Sequence, residues 1–539
     1  MTRRYKMGLN RDQSMLLPPR VDDYVGEDNP VRVIDAYVEQ LDLQQLGFVH
    51  ADGDLTAGQP AYSPGALLKL YLYGYLMRVR SSRRLEAECY RNLEVMWLLA
   101  GLTPGNRTIA SFRKTNADAL KRTCRDFVLM CRELDLYGRE LVAIDGSFFR
   151  ANAGAKGIYT ENRLKRALQH LERDIAEFMT AMEAADAEPD EPAMATDLAA
   201  KLDLLRARQA DYKDKLETLQ ASGEKQLSVV DPDARRLKKH GQNVTGYNVQ
   251  ISVDSKHKLL VAGEATSDGN DSKQLEPQAR QAQSLLAVDH LDVVADMGYH
   301  NPVQLKACSE AGITTWVPEP PPRGPTGQPD RLSPGEFEYD AENNGYRCPQ
   351  GEWLRHARTV TRNDQQVAVY KSTPARCRGC PLASSCLPKK KPFRELYRSE
   401  HADLIAALRR RMAVEGEAYL KQRKALAEHP FGTLKRWSGW DHFLVRGRKA
   451  VNGELGLMML CYNFKRVLNI LGIEGFRAYL AERQQASDQR RYNSCKTSAC
   501  TPQSWWRRQL AKWQFWVSRE AISIRIRPQL IQMDPARNG

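Results

Sequence analysis

Two aspartates lie where a protein could carry out metal-dependent chemistry. Asp145 follows the apolar run LVAI, and Asp296 follows LDVVA. Both runs are typical of buried strands, and carboxylates at the carboxyl ends of strands in an α/β sheet face the crevice where ligands bind. One such aspartate could simply cap a turn. Two of them, each with a glycine close behind (Gly146 and Gly298), predict a shared ligand site.

The predicted ligand is a divalent cation. Mg²⁺ and Mn²⁺ prefer carboxylate oxygens, and phosphodiester chemistry commonly uses two such ions about 3.5–4 Å apart. Such a site needs a third acid. Glu428, in a basic helical stretch, is the best candidate, with Glu415 and Glu417 as competitors. Pro430 is expected to kink this helix just beyond Glu428.

Composition favours a polyanionic partner and excludes a membrane protein. The 539 residues include 80 Lys and Arg against 66 Asp and Glu, a net charge of +14. This excess is typical of nucleic-acid binding, although a ribosome-associated or merely basic protein stays possible. Apolar runs are far shorter than the roughly 18–20 residues that a bilayer span needs, and the first residues lack the apolar segment of a signal peptide. We therefore expect a cytoplasmic protein.

Four of the eleven cysteines form a second candidate site. Four thiolates are enough for tetrahedral zinc, and the strongest part of the pattern is a CxxC pair; the alternative is four reduced surface thiols. The four are Cys348, Cys377, Cys380 and Cys386. Five others lie in apolar or helical surroundings and are expected to be buried small hydrophobes: Cys89, Cys124, Cys131, Cys308 and Cys461.

The order of elements predicts a helical region followed by a mixed α/β sheet. Residues 1–139 are expected to be a helical DNA-binding bundle, and 140–484 a catalytic domain with three strands in meander order and two joined by helices. Two insertions interrupt that domain: a helical hairpin at 160–223 and the Cys-rich zinc module at 321–395. Residues 485–539 are a basic, Trp-containing tail for which no structure is predicted.

Several motifs, taken in order, resemble one family. These are SPGALLKLYLYGYL, IDGSFFRANA, GYNVQISVD, VVADMGYHN and AEHPFGTLKRWSG. The chain resembles, over about residues 12–480, the DDE transposases of bacterial insertion sequences, in the branch with a Tyr-x2-Arg-x3-Glu-x6-Lys signature. The resemblance implies a ribonuclease H-like catalytic domain in which Asp145, Asp296 and Glu428 bind two Mg²⁺ or Mn²⁺ ions.

The resemblance also implies the partners and the reaction. The protein would bind the ends of its element, cut them and join them to target DNA, with at least a homodimer in the active complex. A non-catalytic or domesticated sequence-specific DNA-binding protein is the alternative.

The signature fits imperfectly around Glu428. Strict register puts Lys421 and Lys424 where the family has Tyr and Arg, while Tyr419 and Arg423 are nearby but out of register. Six residues are candidates for DNA contacts: Lys435, Lys424, Arg423, Tyr419, Arg436 and Arg113. A further five polar residues could line the crevice, with no individual role predicted: Asn152, Arg235, Asn248, Asn270 and Asp271.

Overall fold

The computed structural model describes most of the chain. The described residues are 20–52, 60–186, 192–239, 242–320, 332–362, 365–388 and 391–497. They begin with six helices: α1 (Pro30–Glu39), α2 (Pro64–Leu76), α3 (Ser82–Arg91), α4 (Leu93–Leu98), α5 (Asn106–Thr115) and α6 (Ala117–Glu133). The predicted helical N-terminal region is confirmed. Helix α2 begins with Pro64 after Ser63 and is buried on nearly every side.

The central sheet is mixed, as predicted. Its strands are β1 (Leu141–Arg150), β4 (Arg235–Lys239), β5 (Gln242–Asp254), β6 (Leu260–Thr266), β7 (Leu291–Val294) and β8 (Ile313–Trp316). A two-stranded ladder of β2 (Ile158–Tyr159) and β3 (Leu227–Ser228) lies outside it. Strand β5 pairs antiparallel with β1, β4 and β6. Strands β1, β7 and β8 run parallel. Helix α9 (Leu275–Leu286) leads from β6 to β7, and helix α10 (Pro302–Glu310) connects β7 to β8.

Two details of this sheet differ from the prediction. Strand β4, with the sequence RRLKK, was missed because it has no apolar alternation. Strand β1 does not end at Asp145 but continues to Arg150, because residues 146–150 pair with residues 246–250 of β5. Asp145 is therefore inside β1, although it lies beyond the segment of β1 that pairs with β7.

Both insertions are present, the first between β2 and β3 and the second between β8 and the long helix that begins at Ala402. Helices α7 (Glu161–Asp186) and α8 (Pro192–Ser222) form the predicted hairpin. The Cys-rich region contains an unpredicted antiparallel sheet and two single-turn helices. These are β9 (Glu338–Asp340), β10 (Gly345–Arg347), β11 (Trp353–Arg362), β12 (Gln365–Ser372), α11 (Pro374–Cys377), α12 (Ala383–Cys386) and β13 (Glu395–Ser399). This sheet was not predicted from the sequence, because its longest strand, β11, is polar and largely exposed and so has no apolar pattern.

Two long helical stretches complete the described chain: α13 (Ala402–Phe431) and α14 (Arg448–Thr497). The second is kinked at Gly472, whose φ of 71° is not helical. The expected kink at Pro430 stays a prediction. Pro430 does not end α13, which continues directly into a π-helical segment, Gly432–Trp437. Short π-helical segments within α-helices are frequently found at functional sites. Most of the predicted Trp-containing tail, residues 498–539, lies outside the described residues.

One hydrophobic core joins the N-terminal helices, the sheet and α14. Helices α6 and α14 approach closely, since a Cβ atom on Gly453 would lie 2.5 Å from the Cα of Ala117. In the described part of the chain, no helix combines the length and apolarity required to span a membrane.

Candidate active site

The sheet register places Asp145 and Asp296 side by side. The parallel pairing of β1 with β7 ends at Ala143 and Val294, and each aspartate follows its strand's last paired residue by two positions. Because neighbouring strands lie about 4.8 Å apart, the backbones at the two aspartates are neighbours. Asp296 then begins a short 3₁₀ turn and accepts a hydrogen bond from the backbone N–H of Gly298 at 2.8 Å.

A third carboxylate, that of Asp271, lies at the same end of the sheet. A Cβ atom on Gly146 would be 2.7 Å from Asp271 Oδ1, and one on Gly298 would be 3.8 Å from Asp271 Oδ2 and 3.0 Å from Asp296 Oδ1. Asp271 therefore sits between the strand that carries Asp145 and the turn that carries Asp296. Sequence reasoning named Asp271 only as one polar residue among five.

A buried tyrosine, Tyr299, is close enough to all three aspartates for their charges to affect its pKa. It ends the 3₁₀ turn that follows Asp296 and is fully buried. Burial, together with the negative charges of Asp271, Asp145 and Asp296, raises the pKa of Tyr299 well above its ordinary value. The hydroxyl therefore stays protonated and acts as a hydrogen-bond donor.

Helix α13 contributes a cation to Asp145. Arg423 Nη1 lies 3.5 Å from Asp145 Oδ1, and both side chains are about one-fifth exposed, 21% and 19%. Leu426, on the same helix, packs against Ala143 and Val294, so this face of α13 covers the sheet beside Asp145. Arg423 thus meets an acid of the site rather than open solvent.

Glu428 lies on a different side of α13 from Arg423. It follows Arg423 by five residues on α13, which places it about 140° further around the helix axis, and its side chain is exposed. Among the residues the structure describes, no three or more His, Cys, Asp or Glu side chains form a group that could hold a metal ion. The structure brings Asp145 and Asp296 together but does not assemble the predicted triad.

Lys435 is tied to β1. Its Nζ donates hydrogen bonds to Ser147 Oγ and to the Phe148 carbonyl, both at 2.6 Å. The ammonium also lies 4.5 Å from the centre of the Phe149 ring. Lys435 therefore holds the π-helical segment against the strand of Asp145. Lys424 and Arg436 are exposed and available to a phosphate backbone.

Two predicted DNA contacts are corrected by the structure. The Tyr419 ring stacks on Trp316, with centroids 3.8 Å apart, and its hydroxyl donates to Asp292. Arg113 is 5% exposed and pairs with Glu454. Both side chains are used in internal packing, so neither is placed to stack on a base or to meet a phosphate.

The four clustered cysteines lie near one another. The pKa of Cys386 is raised by burial, partly offset by Arg394, and raised further by the thiols of Cys377, Cys348 and Cys380. Cys377 Sγ lies 3.2 Å from Ser372 Oγ. These thiols do not form a metal-holding group within the described ranges, so the geometry does not support the zinc prediction. The five other cysteines are buried, as predicted.

The lack of a side chain at Gly146 is a requirement of this site. We expect Gly146→Ala to destabilise the protein by about 1–3 kcal/mol, as overpacking typically does, because the new Cβ would lie 2.5 Å from Gln250 Nε2. Denaturant unfolding measures this effect. Gly154→Ala is the matched control, since its Cβ would meet nothing within 4 Å. Equal unfolding midpoints for the two variants would contradict the expectation.

Two segments of the chain match known transposase families. Residues 19–115 match the family described as "Transposase domain (DUF772)", and residues 347–468 match the "Transposase DDE domain". Both matches support a DDE transposase of insertion-sequence type. The second segment contains Glu428, whereas Asp145 and Asp296 lie between the two matched segments.

Beyond these two segments, the chain has little similarity to known proteins. No curated protein matches the transposase chain. One solved structure is similar: a piggyBac transposase in a synaptic complex with hairpin DNA, at 10% identity over 90% of this chain and 85% of the other. The TM-score of this comparison is 0.30.

Proposed function

We propose that this transposase binds insertion-sequence ends and catalyses metal-dependent DNA cleavage and strand transfer. The observation that carries the proposal is the register that sets Asp145 beside Asp296 in a chain with two transposase segments. The strand order β6-β5-β1-β7-β8, antiparallel over the first three strands and parallel over the last three, supports a ribonuclease H-like catalytic domain.

The donor atoms of the two aspartates fit Mg²⁺ or Mn²⁺. Mg²⁺ in such sites typically binds one or two carboxylates, and water and substrate phosphates complete its shell. Asp145 and Asp296 would hold the ions. Glu428, which the described structure does not group with them, is proposed as the third acid once ions and DNA are bound. Bound divalent ions activate the attacking oxygen and neutralise charge on the phosphate.

The chain itself supplies position and charge. Lys435 and Arg423 hold α13 and its π-helical extension against β1. Lys424 and Arg436 offer exposed positive charge along the same stretch. We propose that the DNA backbone follows this stretch in the cytoplasm of the host cell. Pairing two element ends would require at least two copies of the chain.

The test is cleavage of the inverted repeats that flank the gene. Full-length protein with Mg²⁺ should release 3′-hydroxyl ends at the repeat boundary and join them to target DNA, and EDTA should stop both steps. Retarded migration of the repeats without cleavage would favour the non-catalytic DNA-binding alternative. Cleavage without regard to sequence would contradict both proposals.

Zinc binding by the four clustered cysteines stays a prediction. We expect about one zinc ion per chain in purified protein, because four thiolates match the ligand set of structural zinc. The double variant Cys377→Ser with Cys380→Ser should lose it, whereas Cys461→Ala, which alters a buried thiol outside the cluster, should keep it. Elemental analysis checks this, and protein without zinc would contradict it.

A further inference from the structure

A chain of side-chain hydrogen bonds links Asp271 to the turn of Asp296. Asp271 Oδ1 accepts from Asn248 Nδ2 and from Gln250 Nε2, both at 2.7 Å. The other end of the Gln250 amide, Oε1, accepts the hydroxyl proton of Tyr299. Gln250 is thereby used at both ends and has one orientation that satisfies both partners.

This network is buried, so its geometry is constrained. Gln250 and Tyr299 are both fully buried, and Asn248 is 1% exposed. Buried polar groups are costly when left without partners. Loss of the Asp271 carboxylate would leave two buried amides short of an acceptor, and the Gln250 amide would no longer be held in place beneath Tyr299.

Tyr299 in turn fixes the orientation of Asp296. Only two residues separate them, and the Tyr299 backbone N–H donates to the Asp296 carbonyl at 3.2 Å. Within the same turn, the Gly298 N–H holds the Asp296 carboxylate. The anchored ring of Tyr299 therefore sets the direction in which the turn presents that carboxylate.

We propose that Asp271 is a positioning residue for Asp296: through Gln250 and Tyr299 it holds the turn that presents the Asp296 carboxylate to a divalent cation. This inference rests on the proposed function. It assigns Asp271 a role in cation binding without making it a ligand. Residues that orient metal ligands typically change affinity or activity about 10–100-fold when they are replaced.

The experiment is a Mn²⁺ titration of the full-length protein, with thermal unfolding measured in parallel. Tyr299→Phe, which removes only a hydroxyl, and Asp271→Ala should each weaken Mn²⁺ binding about 10-fold, the lower end of the range for such orienting residues. Asp271→Asn keeps an oxygen that can accept from both amides, so its affinity should stay near that of the unsubstituted protein. The matched control is Tyr137→Phe, since that buried hydroxyl donates to Leu260 in the core; it should leave Mn²⁺ affinity unchanged.

The outcomes separate this inference from the proposed function. Unchanged affinity in Tyr299→Phe and Asp271→Ala would overturn the inference. So would a loss in Asp271→Asn as large as in Asp271→Ala with Tyr299→Phe unaffected, because Asp271 would then be a ligand. Mn²⁺ binding that survives Asp145→Asn at full strength would contradict the proposed function instead.

Discussion

Replacing Asp145 by asparagine should reduce Mg²⁺-dependent cleavage at the element ends at least about 1,000-fold, because the ions supply several kcal/mol of transition-state stabilisation and each 1.36 kcal/mol is a factor of ten. The substitution keeps the size of the side chain but removes its charge. Asp145 lies beside both Asp296 and Arg423, so this loss would act directly on the proposed cation site. Strand cleavage on labelled repeat DNA measures the effect.

The control for this prediction is an acid that lies away from the site. Glu417 is an exposed residue on the same helix as Arg423 and pairs with Lys421. Glu417→Gln should cleave at the rate of the unsubstituted protein and should bind the repeats equally well. If Asp145→Asn cleaved the repeats at a rate similar to that of the unsubstituted protein, Asp145 would have no role in the mechanism.

Replacing Glu454 by alanine should destabilise the protein by about 3–5 kcal/mol, the usual cost of leaving buried charges unpaired. Glu454 is fully buried and accepts from Arg80 at 2.9 Å and Tyr75 at 2.8 Å. Its second oxygen accepts from the backbone N–H of Leu444. The variant would leave the Arg80 and Arg113 guanidinium groups without their anion inside the core. Denaturant or thermal unfolding of the full chain measures the loss.

The stability that Glu454 contributes depends on pH, because it requires the ionised carboxylate. Burial raises the pKa of Glu454, but Arg113 and Arg80 outweigh it and hold that pKa below its ordinary value. The resulting stabilisation is present above the unfolded-state pKa and is lost as pH falls through the folded-state pKa. Acid should therefore narrow the difference in stability between the unsubstituted protein and Glu454→Ala. If Glu454→Ala and the unsubstituted protein were equally stable at neutral pH, the stabilising role of the ionised Glu454 would be contradicted.

Local pattern was sufficient to predict the strand of Asp145, the helical hairpin and the helical N-terminal region. Each depends on apolar periodicity within a short window. Local pattern was not sufficient to predict the site, because the hydrogen-bond partners of Asp271 come from β5. One face of that strand carries a buried polar stripe of Asn248, Gln250, Ser252 and Asp254. Alternation of polar residues in the motif NVQISVD was the available signal, but alternation alone is equally typical of a solvated face.

The contacts of individual side chains were harder to predict than the secondary-structure elements. Arg113 looks like any basic residue on an amphipathic helix until Glu454, 341 positions away in the chain, is brought beside it. Tyr419 matched a family signature approximately, and only the fold shows that Trp316 already covers its ring. The Arg-rich strand β11 carries no core pattern of its own, because the small sheet that contains it has few buried residues.

The buried cluster around Glu454 also limits how this protein can diversify. Arg80 and Arg113 belong to the matched segment 19–115, and Glu454 belongs to the segment 347–468. A chimera that took one segment from this chain and the other from a relative with different residues at these positions would bury unmatched charge at the seam. A change at any of these three positions would therefore require a matching change in the other segment to keep the buried charges paired.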